Sequence, residues 1–333
     1  MLTLVPLRLL LLVIIVLPYY ILAISWLTMT PDRPWAHRVS ICALRLASRL
    51  VLFAMGFWRI QVSGKEYVGR KGDPRVFVSN HISYVEILYF MAEFGASFVM
   101  KRTCLNVPII GKVAMIVLDS VSVDNKGEKA GGSGFDAIAK RLDAMFGCEE
   151  QTGPEEATGA VGAKAGGMTE TGVESTGWRG NPLVIFAEGT TSNGGCLLRF
   201  KTGIFAAGAR PVHPVVLQFP FSRFSPAYES IPTHTHILRL LSEPFNTLTV
   251  KFLPRHEPTP AEVADPVQYA KAVQAEMSEA LGGLHTVEAG YAQKMEYHKY
   301  IRQKYSEHPW GFLAPLLVVD PIKRTRGKAE KGD

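Results

Sequence analysis

Residues 75–86, Arg75-Val-Phe-Val-Ser79-Asn80-His81-Ile82-Ser83-Tyr84-Val85-Glu86, read as an apolar strand running into a polar turn at the point where helical spacing takes over. The turn carries an imidazole and a carboxylate at the carboxyl end of a strand, where open α/β sheets bind their ligands. Five residues apart on a regular helix, His81 and Glu86 would point about 140° away from each other, because each residue turns about 100°. They meet only if His81 precedes the helix. Ser83 is a good N-cap with Glu86 three residues on, which places the imidazole in the loop and the carboxylate on the first turn. The same residues also spell a capping box, Ser83-x-x-Glu86, in which Glu86 merely reaches back to the N-cap amide. Spacing alone leaves both readings open.

Working outward, β-rich runs at 75–79, 97–100, 117–123, 182–186, 214–218 and 248–253 alternate with helical stretches near 83–93, 105–116, 133–146, 203–209 and 266–281. This alternation predicts an α/β domain with a central mixed β-sheet flanked by helices. It is interrupted at 147–181, a glycine-rich, net-acidic stretch without apolar periodicity, which reads as a disordered insertion in a surface loop. After it, Pro182-Leu-Val-Ile-Phe186-Ala187-Glu188-Gly189-Thr190-Thr191-Ser192-Asn193-Gly194 repeats the theme of a buried strand entering a polar turn. A carboxylate followed by free backbone amides suits a hydroxyl-bearing ligand and an oxyanion, although an ordinary βα turn with hydroxyl caps uses the same residues.

In this order the two stretches resemble the glycerolipid acyltransferase family, whose first block, His-x4-Asp, is here His81-x4-Glu86. Its third block is here Phe186-Ala187-Glu188-Gly189-Thr190, and its fourth, an apolar stretch around proline, is Val212-His213-Pro214-Val215. The match is closer to the lysophospholipid branch, the plant lysophosphatidylethanolamine and the lysophosphatidylcholine acyltransferases, through Asn80 to Leu88, Glu188 to Gly194 and Leu198-x-Phe200-Lys201-Thr-Gly203. It covers about residues 75–255 and departs at three places. Glu86 stands for the usual Asp, Ala187 for Pro, and the second block offers Asn125 or Lys126 where an Arg is usual.

The resemblance implies a glycerolipid acyltransferase-like fold and direct transfer of an acyl group from acyl-CoA to the free hydroxyl of a lysophospholipid. His81 is then the general base and Glu86 the group that orients it, the His–carboxylate half of a hydrolytic triad with the substrate hydroxyl in place of serine. Glu188, Gly189 and Thr190 position the acceptor, Lys201 meets its phosphate, and Lys101 and Arg102, with Lys112 nearby, meet the phosphates of CoA. The segment around Leu105, Val107, Pro108 and Gly111 lines an acyl groove or simply packs in the core. Acyl-CoA is a co-substrate and no cofactor is implied. Phosphatidate-forming members resemble Glu-Gly-Thr-Arg where this chain has Thr191, and only Arg clamps a phosphate with paired donors. That difference favours a phosphodiester acceptor, ethanolamine- or choline-headed, over lysophosphatidate. A lipid hydrolase would need Gly-x-Ser-x-Gly, which is missing, whereas a CoA-independent transacylase or a lipid-binding scaffold would not.

The ends of the chain carry the membrane signals. Leu9 to Met29 is an uncharged run long enough to cross a bilayer core of about 30 Å; Pro18 near its middle would kink a span or fold it into a hairpin. A signal peptide is the alternative, but the run exceeds the usual apolar region of about 7–15 residues. A second apolar segment, 41–60, with Arg38, Arg45 and Arg49 on one helical face, suits a helix lying on a membrane. The expected organisation is an anchor at 1–60, an acyltransferase domain at 61–320 and a basic tail at 321–333.

The net charge of +6 divides into +5 over 1–60, +3 in the tail and −2 in the body, so the body lacks a nucleic-acid footprint. Positive charge just after the first apolar run places the body in the cytosol, and the endoplasmic reticulum is implied by analogy. Four scattered cysteines without a CxxC pair argue against a structural metal. His234-x-His236 would share a strand face, yet two histidines without a carboxylate motif do not make a metal site. Oligomeric state is left open by the sequence.

Overall fold

The computed structural model describes residues 4–29, 34–70, 73–107, 110–123, 133–147, 180–221, 223–228 and 231–307. Most of the expected insertion at 147–181, the tail at 321–333, Pro108, Asn125 and Lys126 lie outside these residues. In chain order the elements begin with α1 (Leu4–Met29), α2 (Pro34–Ala54), β1 (Ile60–Ser63), β2 (Val76–Ser79), α3 (Val85–Phe94) and β3 (Ser97–Lys101). They continue with α4 (Ile110–Lys112), β4 (Val121–Val123), α5 (Ser133–Phe146), β5 (Leu183–Phe186), β6 (Leu197–Leu198), α6 (Gly203–Ala206) and β7 (His213–Gln218). The last are α7 (Thr233–Ser242), β8 (Leu248–Phe252), α8 (Pro260–Ala264), α9 (Pro266–Ala280), β9 (Thr286–Val287) and α10 (Tyr291–Glu307).

Seven strands form one sheet in the order β1-β8-β7-β2-β5-β3-β4, parallel throughout except where β7 meets β8. It is the mixed sheet the alternation predicts. Because side chains alternate across a strand, β2 sends Phe77 to one face and Val76 and Val78 to the other. Phe77 joins Val184, Val215 and Leu217 beneath Leu44 and Leu52 of α2, Tyr89 and Phe90 of α3 and Leu240 and Leu241 of α7. Val76 and Val78 join Leu183, Ile185 and Val216 beneath Leu142 and Met145 of α5, Phe205 of α6 and Tyr269, Val273 and Met277 of α9. The central strands are thus buried on both faces, which is why they read as continuous apolar runs.

Three expectations change. The stretch read as helix over 105–116 and strand over 117–123 is a 3-10 turn at Arg102–Asn106, the short α4, and a π-helical turn at Val113–Val117, with a strand only at Val121–Val123. His234 and His236 lie on α7 and not on a strand, so two residues apart they diverge around the helix. The segment read as helix over 41–60 is helical from Pro34 to Ala54, and Ile60 already belongs to β1.

Arg45 is turned to the body, where its guanidinium donates to the carbonyls of Ala92 and Glu93 at the end of α3. Pro18 lies inside α1 without ending it. Arg8, near the start of α1, donates to the carbonyls of Leu241, Glu243 and Pro244 at the end of α7 and so docks this helix on the domain. Among the described residues α1 is the one helix long and apolar enough to cross a membrane, judged by length and composition.

Candidate active site

Strands β2 and β5 are parallel neighbours, with Ser79 opposite Phe186, so the turns that follow them open at the same edge of the sheet. The chain leaves β2 through α3 on one face and leaves β5 through α6 on the other, which makes the gap between the two turns a topological switch point of the sheet. Asn80 fixes the first turn to β7 by donating to the Leu217 carbonyl (2.9 Å) and accepting from the Leu217 amide (2.8 Å). His81 follows, before the helix begins.

His81 and Glu86 meet. Nδ1 of His81 lies 3.1 Å from Oε2 of Glu86, and the imidazole stacks on Phe186 with ring centroids 4.1 Å apart. An ionised carboxylate can only accept, which assigns the proton to Nδ1 and leaves the Nε2 lone pair directed away from the carboxylate. No described residue hydrogen-bonds Nε2. Glu86 is fully buried and also accepts from the amides of Ile82 (2.7 Å) and Ser83 (2.8 and 2.9 Å). Both sequence readings therefore hold for this carboxylate, which reaches back to the amides before α3 while orienting the imidazole. The cap differs from expectation. Tyr84 occupies the N-cap position without a side-chain bond, and the buried Ser83 hydroxyl has no partner among the described residues. The two amides ahead of the helix are satisfied by Glu86 instead.

The second turn holds the first by its backbone. Glu188 accepts from the His81 amide (2.8 Å) and the Leu198 amide (3.1 Å), while the Ser192 amide donates to the His81 carbonyl (2.7 Å). The backbone on both sides of the His81 side chain is thereby fixed by residues more than a hundred positions away. Burial pushes the Glu188 carboxyl up to about 8. The two amides and Lys294 oppose this, whereas neighbouring Glu86 adds to it.

The expectation of free amides after Glu188 is corrected for four positions. The Gly189 amide donates to Phe186, Gly194 to the Ser192 hydroxyl and Gly195 to Asn193, because the turn closes on itself, and Ser192 donates across to His81 in the first turn. Gly189 has φ 64°, and a Cβ there would lie 2.4 Å from Cε of Lys201, so glycine is what lets the lysine side chain cross the turn. The Lys201 amide donates to the Ala187 carbonyl (2.8 Å). Thr190 is buried beside it.

Lys101 ends β3, the strand next to β5, and is held below the ordinary lysine range by burial and by the charge of Lys201. Arg102 begins the exposed 3-10 turn that follows. Among the described residues no group of three or more His, Cys, Asp or Glu is placed to hold a metal ion.

Residues that sequence reasoning missed bind the two turns from outside the sheet. Tyr228 donates its amide to the Ile82 carbonyl (2.8 Å) and accepts from the Thr191 hydroxyl (2.7 Å). The Tyr84 hydroxyl lies 3.1 Å from Nδ1 of His236, whose Nε2 lies 2.9 Å from the Pro226 carbonyl. A carbonyl accepts only, so Nε2 carries the proton and Tyr84 donates. Burial lowers His236 to about 4, which keeps it neutral and structural. Lys294 of α10 donates to the Thr191 carbonyl and, at 2.7 Å, to its hydroxyl. A tyrosine inside the first motif was the available signal for Tyr84; for Lys294 there was none.

Residues 59–218 match the family model described as Acyltransferase. The chain is 31% identical to the lysophospholipid acyltransferase LPEAT1 of Arabidopsis thaliana over 89% of its own length and 78% of that protein's. It is 24% identical to LPEAT2 of the same plant (86% of this chain, 46% of the relative) and 28% identical to the human lysophospholipid acyltransferase LPCAT4 (76% and 42%). It thus spans less than half the length of the latter two. Among solved structures it is similar to the 1-acyl-sn-glycerophosphate acyltransferase PlsC of Thermotoga maritima, with a TM-score of 0.49, 15% identity, and coverage of 81% of this chain and 90% of that one.

Proposed function

The chain belongs to the lysophospholipid acyltransferase family, and from that premise we propose that it transfers a fatty acyl group from acyl-CoA to the free hydroxyl of lysophosphatidylethanolamine or lysophosphatidylcholine. The observation that carries the reading is His81, with one ring nitrogen on a buried carboxylate, the other without a described partner, and its backbone clamped from both sides. Imidazole ordinarily titrates near pH 6.5, which suits proton transfer at neutral pH.

The Nε2 lone pair of His81 takes the hydroxyl proton as the acceptor oxygen bonds to the thioester carbon. Glu86 stabilises the imidazolium that forms. Collapse of the tetrahedral intermediate breaks the carbon–sulfur bond, and the imidazolium returns its proton to the departing CoA thiolate. No acyl-enzyme is formed. Glu188, buried beneath the turn, acts on the site through the His81 backbone, whose amide it accepts. Lys201 lies across Gly189 at the mouth of the turn and meets the acceptor phosphate, while Lys101 and Arg102 receive the phosphates of CoA.

The phosphodiester preference rests on Thr191, whose hydroxyl and carbonyl are engaged by Tyr228 and Lys294. Helix α1 holds the protein on a membrane, that of the endoplasmic reticulum, with the domain in the cytosol; the arginines that follow its apolar run support that orientation.

The test is a matrix of donors and acceptors with the purified full-length protein in phosphatidylcholine vesicles. Product should depend on acyl-CoA and form faster on the two phosphodiester acceptors than on lysophosphatidate. A strong lysophosphatidate preference would overturn the acceptor assignment, and acyl exchange without CoA would overturn the donor.

A further inference from the structure

Helix α10 lies beyond the residues matched by the family model, yet it enters the candidate site. Lys294 donates to both oxygens of Thr191, and Thr191 donates onward to the Tyr228 carbonyl, which ties α10, the turn after β5 and the segment before α7 into one chain of hydrogen bonds. Three residues before Thr191, Glu188 holds the His81 amide. We infer that Lys294 is a positioning residue for acyl transfer, pinning the Glu188–Thr191 turn and supplying from α10 a positive charge that faces the buried Glu188 carboxylate. This rests on the function proposed above.

The argument is one of charge around a buried acid. Glu188 is fully enclosed and has Glu86 of α3 nearby, and both facts disfavour its ionised form. The ionised form accepts the His81 and Leu198 amides most strongly and leaves no buried hydroxyl in need of a partner. The groups facing it are the His81 amide from the turn after β2, the Leu198 amide of β6, Glu86 of α3 and Lys294 of α10. Lys201 lies across the adjoining Gly189, with Lys101 of β3 beside it. Lys294 is the side-chain cation whose field favours ionisation of Glu188.

Loss of the Lys294 charge should move Glu188 protonation upward by about one pH unit. It should carry the acidic limb of the activity profile with it. The experiment compares the full-length parent with Lys294→Met and Lys294→Arg by infrared titration of the protonated carboxyl band that Glu188→Gln removes, alongside acyl transfer from about pH 6 to about pH 9. In Lys294→Met the band should persist to higher pH and activity should recover at alkaline pH, while Lys294→Arg should follow the parent. A band that titrates at the same pH in the parent and Lys294→Met overturns the inference, as does a uniform loss of activity with an unmoved limb. Absence of acyl transfer in the parent would instead overturn the proposed function, and the infrared titration would still decide whether Lys294 favours ionisation of Glu188.

Discussion

Among the described residues His81 and His256 each sit against carboxylates, at opposite edges of the same sheet. His81 leaves the carboxyl end of β2, whereas His256 follows the antiparallel β8 and pairs through its backbone with Val212, at the start of β7. His256 uses both ring nitrogens on acids, Nδ1 on Glu276 (2.7 Å) and Nε2 on Glu262 (3.1 Å), while its ring stacks on Tyr269. His81 uses one. A ring bonded on both sides is fixed in place with no nitrogen left to offer, while a ring bonded on one side is oriented and keeps its second nitrogen for a substrate. Proximity of a His to a carboxylate thus does not single out a base; a second nitrogen without a described partner and the edge of the sheet are what support His81 in the proposed role.

Substitutions at the two sites should therefore diverge. Short of removing the imidazole itself, the largest effect belongs to Glu86→Ala, which releases the imidazole and leaves the buried amides of Ile82 and Ser83 without an acceptor. Initial rates should fall by about 10³-fold. Thermal unfolding should also show a loss of roughly 1–3 kcal/mol for each amide stranded. Near-parental activity in this variant would erase the distinction between the two histidines.

His256→Ala should reverse the pattern, with activity within about twofold of the parent and stability lower by about 1–3 kcal/mol from the lost hydrogen bonds. Its pH dependence has a definite sign. Burial raises Glu262, but the Thr259 amide and His256 outweigh it and hold the carboxyl below its ordinary value of 4.5. The stabilisation is thus present above about pH 4.5 and lost as pH falls through the depressed value. Calorimetry from neutral to acid should show the parent and His256→Ala converging toward low pH, and a gap that widens there would contradict the account.

The sheet was legible where burial on both faces leaves an apolar run, at β2, β5 and β7, and at β8, where buried Leu248, Val250 and Phe252 alternate with Thr249 and Lys251. It was not legible at β1, a short edge strand whose residues only half-alternate between core and solvent. The π turn at Val113–Val117 escaped because an apolar stretch of that length fits several backbones. Helix α7 escaped because its Thr-His-Thr-His start imitates strand alternation, although Leu240 and Leu241 belong to the buried helical stripe below it.

At the site, the five-residue spacing of His81 and Glu86 allowed a loop-to-helix contact without choosing it over a capping box, and Glu188 stood out as an acid at the end of a buried strand. What Glu188 touches was not foretold, because its partners are backbone amides that carry no residue identity. Lys294 lies 103 positions beyond Thr191 on a polar helix, where local pattern holds no information about a distant turn.

The most direct measurement is the rate at which labelled acyl-CoA and lysophosphatidylethanolamine yield diacyl product with the parent and with His81→Ala, with membrane association and thermal unfolding followed in the same preparations. The account predicts a fall of about 10²- to 10⁴-fold with both controls unchanged. Product formation by His81→Ala within about tenfold of the parent would contradict His81 as the base.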